Sequence, residues 1–119
     1  MLIKDLNYCE EFVAADGSLL RQLLHPDSID ISCRYSLCHA TLKPGQTTRP
    51  HRLEGSEVYY ILGGQGLMSI DGESRAVRMG QAIYIPPHAT QHIENKGSSD
   101  LTFLCIVDPA WREEDEEVL

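Results

Sequence analysis

No apolar run in the chain approaches the ~20 residues that span a bilayer as a helix, so no membrane-crossing helix is expected. Positive charge is scarce: 10 Lys and Arg stand against 18 Asp and Glu, a net charge of −8. With that balance the chain suits neither a nucleic-acid backbone nor an anionic membrane, since both repel it. Met1 to Asn7 lack the apolar stretch and small-residue cleavage site of a secretory signal. The 4 cysteines, Cys9, Cys33, Cys38 and Cys105, form no C-x-x-C pair and no regular framework. Reduced thiols in a cytoplasmic protein are therefore expected. There is no repeat of solenoid period, and no low-complexity segment before the C-terminal residues. There Glu113, Glu114, Asp115, Glu116 and Glu117 concentrate the negative charge, and residues 111–119 are expected to form a solvated tail.

What remains is a chain of 119 residues, enough for one domain and one core, expected over residues 1–110. Short strand-like runs alternate with turn signals, the pattern of an all-β sandwich or barrel. Arg34 to Lys43 alternates and stops at Pro44-Gly45, with Ser36, Cys38, Ala40 and Leu42 on the smaller, more apolar face. His39 falls on the other face, and His25, before Pro26, reads as a loop residue. Glu57 to Leu62 is rich in β-branched and aromatic residues and ends at Gly63-Gly64. Asp71-Gly72 joins two further runs as a two-residue hairpin, because both central residues of the favoured turn need positive φ. Pro86-Pro87 removes two ladder donors and ends the run from Gln81 to Ile85. Leu101 to Val107 is a continuous apolar strand, and Ser18 to Leu24 is read as a strand rather than a short helix.

Two framed blocks stand out. Gly45 is followed after five residues by His51, then at fixed spacing by Leu53, Glu57 and Gly64. Gly80 is followed after five residues by Pro86, then by His88, Gln91 and Asn95. Together they resemble the paired motifs of the cupin superfamily, G-x5-H-x-H-x3-E-x6-G and G-x5-P-x-G-x2-H-x3-N, over residues 45–64 and 80–95. Every glycine, proline and asparagine of the frame is in register except the glycine replaced by His88. The resemblance implies an all-β double-stranded β-helix, a jelly-roll barrel of two sheets with a small-molecule site inside.

In the family, the positions of residues 51, 53, 57 and 91 hold His, His, Glu and His around a divalent metal such as Fe, Mn, Ni, Cu or Zn. This chain keeps His51 and Glu57, but has Leu53, which cannot bind metal, and Gln91, which offers only a neutral carbonyl oxygen. His92 would replace Gln91 as a ligand if a bulge slipped the register by one residue, and His88 sits near the barrel mouth. Strand alternation sends Cys38, His51, Leu53, Glu57 and Tyr59 toward the interior, the resemblance implies the same for Gln91 and Cys105, and Ile93 and Phe103 are read as inward with them. Two readings stay open. In the first, His51, Glu57, Gln91 and His92 hold a divalent ion, with Glu57 and Tyr59 as catalytic candidates of a metal-dependent oxygenase or isomerase. In the second, His51 and Glu57 are a buried hydrogen-bonded pair in a metal-free binding module. Val58, Tyr60 and Leu62 form an outer apolar stripe, and a homodimer is expected.

Overall fold

The computed structural model describes residues 1–119, and eleven strands carry the fold. They are β1 (Glu11–Val13), β2 (Leu19–Leu24), β3 (Ser36–Leu42), β4 (His51–Leu53), β5 (Ser56–Gly63), β6 (Gln65–Ile70), β7 (Glu73–Arg78), β8 (Ala82–Ile85), β9 (Gln91–Asn95), β10 (Leu101–Asp108) and β11 (Glu116–Val118). All pairings are antiparallel. One sheet runs β1-β2-β3-β10-β5-β8 and the other β11-β4-β9-β6-β7. The result is the two-sheet jelly-roll barrel that the framed motifs imply.

Alternation builds the core. In β5 the buried residues are Glu57, Tyr59 and Ile61; in β9 they are Gln91, Ile93 and Asn95; in β10 they are Leu101, Phe103, Cys105 and Val107. Of these, Tyr59, Ile61, Ile93, Leu101, Phe103 and Cys105 meet Ala40, Leu42, Met68 and Ile85 between the sheets. Phe103 is 1% exposed, and its ring centroid lies 4.5 Å from that of Tyr59 at an interplanar angle of 40°. That tilted contact closes one end of the core and forms the floor of the space above it.

The turns explain the motif frame. Asp71 and Gly72 both have positive φ, 49° and 85°, and close the β6–β7 hairpin as their residue types require. Gly64 has φ 85°, and a Cβ there would lie 2.5 Å from the Asp100 carbonyl oxygen, so no side chain fits. Asn95 ties the two motifs together. Its amide nitrogen donates to the carbonyls of Leu42 (2.8 Å) and Ser99 (2.9 Å), and its side-chain oxygen accepts from the Gly97 N–H. Its own carbonyl accepts from the Gly45 N–H at 3.1 Å, at the head of the first motif.

One expectation is overturned. Residues 111–119 are not a solvated tail: β11 pairs with β4, placing Glu116 opposite Leu53 and Val118 opposite His51. The Glu54 N–H donates to the Asp115 carbonyl, the Leu119 N–H to that of Pro50, and Arg52 makes two bonds to the Glu117 carboxylate at 2.9 and 3.2 Å. Glu116 on the inward face is as acidic as Glu117 on the outward face, so the strand shows no apolar alternation and the charge run concealed it.

Candidate functional site

A cavity of about 260 Å³ opens at one end of the barrel. Three kinds of segment wall it: the strands β3, β4, β5 and β10, the hairpin of β1 and β2, and the chain after β10. His51 and Leu53 enter from β4, and Glu57 and Tyr59 from β5, on the inward faces that a two-residue period demands.

His51 is 3% exposed. Its Nδ1 lies 2.8 Å from the Arg49 carbonyl oxygen. A carbonyl only accepts, so Nδ1 carries the hydrogen, which in a neutral ring puts the lone pair at Nε2. That nitrogen has no hydrogen-bond partner; the nearest acid is Asp16 Oδ2 at 3.9 Å. Asp16 is held by its neighbour, since Oδ1 accepts from the Ser18 N–H (3.0 Å) and hydroxyl (2.7 Å). Glu57 accepts from the Gln91 amide nitrogen at Oε1, 2.9 Å away. Burial pushes the Glu57 carboxyl up to about 8, an effect the Gln91 bond only partly offsets and Asp16 and Glu116 reinforce. Gln91 is fully buried, and its Oε1 has no partner.

Three other groups are held in their protonated forms. The Tyr59 hydroxyl is raised well above its usual range by burial and then by Glu57. The thiol of Cys38 is pushed up to about 11, and that of Cys105 is raised well above its usual range, by burial first and Glu57 second. Neither cysteine is a thiolate nucleophile at neutral pH.

The donor set does not fit a mononuclear transition-metal centre. Leu53 is buried and aliphatic. Gln91 turns its amide nitrogen to Glu57 and does not line the cavity, so its carbonyl oxygen is no ligand there. His92 is on the wrong face: β9 pairs with β6 without a shift, Gln91 opposite Ile70 and His92 opposite Ser69, so the slip that would turn it inward is absent. His88 is exposed at a turn, where its φ of 66° takes the left-handed conformation of the glycine it replaces. No three His, Cys, Asp or Glu side chains converge with the geometry to hold a metal ion.

The cavity also includes groups that strand periodicity does not reveal. Asp16 comes from the turn between β1 and β2, and Trp111, Glu113 and Glu116 from the chain after β10. His25 is the loop residue expected, but it is buried: Nδ1 accepts from the Asp27 N–H, and Nε2 donates to the Trp111 carbonyl at 2.7 Å. The Asp16-Gly17 dipeptide was the available sign of the first turn; nothing in the acidic run marks Glu116 as inward.

A family model described as "Cupin domain" matches residues 38–107. The chain belongs to the cupin family. Its relatives include an uncharacterized protein of Methanocaldococcus jannaschii, 41% identical over 109 residues that cover 91% of this chain and 86% of that one. A mannose-1-phosphate guanylyltransferase of Escherichia coli is 29% identical over 126 residues; the alignment takes in 98% of this cupin but only 26% of that protein. Among solved structures, a predicted oxalate decarboxylase from Thermotoga maritima superposes with a TM-score of 0.80 at 22% identity, covering 91% of this chain and 99% of that one. At that identity the likeness is one of fold.

Proposed function

We propose that this cupin binds a small organic molecule in the mouth of its barrel and exchanges protons with it through His51 and Glu57. The observation that carries this reading is an imidazole with an unpartnered Nε2 lining the same cavity as a carboxyl held in its acid form. With Glu57 raised to about 8, it carries a proton to give near neutral pH. Gln91 occupies Oε1, which leaves Oε2 to hold that proton. The Arg49 carbonyl fixes His51 in the tautomer that accepts at Nε2, and Asp16 at 3.9 Å stabilises the imidazolium that results. An acid and a base set apart by their surroundings suit proton removal and delivery on one ligand, the chemistry of eliminations and isomerisations. Tyr59, protonated and packed on Phe103, is a wall of the site.

The experiment follows the His51 ring nitrogens by long-range proton–nitrogen spectra while Zn²⁺, Mn²⁺ or Fe²⁺ is added. The Nδ1–H tautomer is expected, with no stoichiometric metal-induced change at one equivalent. Stoichiometric metal binding that His51→Ala abolishes would restore the metal-dependent oxygenase or isomerase implied by the family's ligand set.

We also propose that two copies pair through the outer face of the six-stranded sheet. Ile106, Val58 and Tyr84 lie in one row across β10, β5 and β8, beside Leu104 and Tyr60. Tyr84 is 62% exposed and Tyr60 42%, so a monomer would present this apolar row to water. A reducing, cytoplasmic setting accords with four free thiols.

A further inference from the structure

The cavity that holds His51 and Glu57 contains no positive side chain. Asp16, Glu57, Glu113 and Glu116 line it, and neither Lys nor Arg does. Its other notable walls are aromatic: Phe12 and Trp111 at the half-exposed rim, Tyr59 and Phe103 at the buried floor. Acids around an aromatic box suit a cation, which gains from the ring faces as well as from the carboxylates. An anion meets the reverse on both counts.

Two independent features mark the space as built for a ligand. The His51 ring is nine-tenths buried, yet its Nε2, beside Asp16 Oδ2, is 3.9 Å from it, too far for a hydrogen bond. A ligand N–H placed there would satisfy both. In addition, Asp16 and Glu116 face the same cavity from two different segments; burial raises the Glu116 carboxyl most, His51 lowers it, Asp16 raises it again and a Trp111 side-chain bond lowers it. Like charges facing one cavity are relieved by a cation between them.

We propose that the ligand of this site is a small organic cation of the ammonium type, bearing apolar substituents and seated between the Asp16–Glu116 carboxylates and the aromatic walls. The proposal rests on the reading of the cavity as a small-molecule site and specifies its substrate class. Oxalate, named for the Thermotoga maritima structure, is a dianion and is repelled here.

Trp111 is the only tryptophan of the chain and lines the cavity, so its fluorescence reports occupancy directly. The test titrates the intact protein with choline, isobutylammonium, the carbon isostere of choline, isobutanol, oxalate and Zn²⁺. One cation of the pair is expected to saturate the signal at an affinity about tenfold or more above its uncharged isostere, with oxalate inert. Glu116→Gln is expected to weaken that cation roughly threefold while leaving the isostere unchanged. Glu113→Gln, at an exposed position, serves as the second variant should the first alter folding. If an isostere binds as well as its cation, or oxalate binds tighter, the cation preference is wrong while the small-molecule site stands. If no organic probe saturates and Zn²⁺ does, both readings fall together. If nothing saturates, the cation proposal falls.

Discussion

Glu57 stands at the point where stability and function oppose one another. Its carboxyl is buried, and in the native state it keeps its proton up to about 8, against an ordinary value of 4.5. Between those values the folded chain binds more protons than the unfolded one, so stability falls as pH rises. The contribution is fully present below about 4.5 and lost as pH passes about 8. Glu57→Gln keeps an acceptor for Gln91 and removes the ionisation. Its melting temperature should match that of the parent near pH 4 and exceed it by several degrees at pH 9; equal melting temperatures at pH 9 would show that Glu57 ionises without cost.

Leu53 and His92 make a second test at the same scale. Leu53 is buried on the inward face two residues from His51, so Leu53→His supplies an imidazole where the family's ligand set has one. First-row divalent affinity should rise, at a stability cost of about 1–3 kcal/mol for a polar group in a packed wall. His92→Ala should leave both metal binding and ligand binding unchanged, because β9 sends that ring outward. Calorimetric titration of both variants measures this, and metal loss on His92→Ala would contradict the unshifted β6–β9 register.

At the scale of elements, Asn95 shows why the frame of the second motif is needed. It bonds the ends of two other segments, at Leu42 and Ser99, from a fully buried position. Asn95→Ala leaves those carbonyls without their donor and is expected to cost about 2 kcal/mol or more. Chemical denaturation is the measurement, and a loss under about 0.5 kcal/mol would mean water replaces the amide. Most elements were readable because their residues carry local reasons: Asp71-Gly72 for its turn, Pro86-Pro87 for a strand end, alternation in β3, β5 and β9. The site was readable where strands build it, at His51, Glu57 and Tyr59, all of which line the cavity. It was not readable where the chain ends close it. His25, Trp111 and Glu116 reach the cavity through long-range pairings, β11 on β4 and His25 on Trp111, that leave no local period, while Asp16 comes from the β1–β2 turn with only Asp16-Gly17 to mark it.

At the scale of the whole molecule, the two sheets have unequal surfaces. The inner faces share one core and the cavity, while the outer face of the six-stranded sheet carries an apolar row at its centre. Ile106 is 36% exposed and sits between Leu37 and Val58 across three adjacent strands, flanked further out by Tyr84. Contiguous apolar surface of this kind favours a partner presenting the same row, and a two-fold pairing brings each row onto its counterpart. Sedimentation equilibrium at micromolar concentration should therefore return twice the chain mass of 13.3 kDa. Placing a charge in the row, by Ile106→Lys, should shift the mass to that of one chain. The cavity lies on the opposite side of that sheet, so the monomeric variant should keep the Trp111 fluorescence response to cations unchanged. A parent that already sediments as a single chain would exclude the pairing, and a lost fluorescence response in the Ile106→Lys monomer would show that the second copy helps to shape the site.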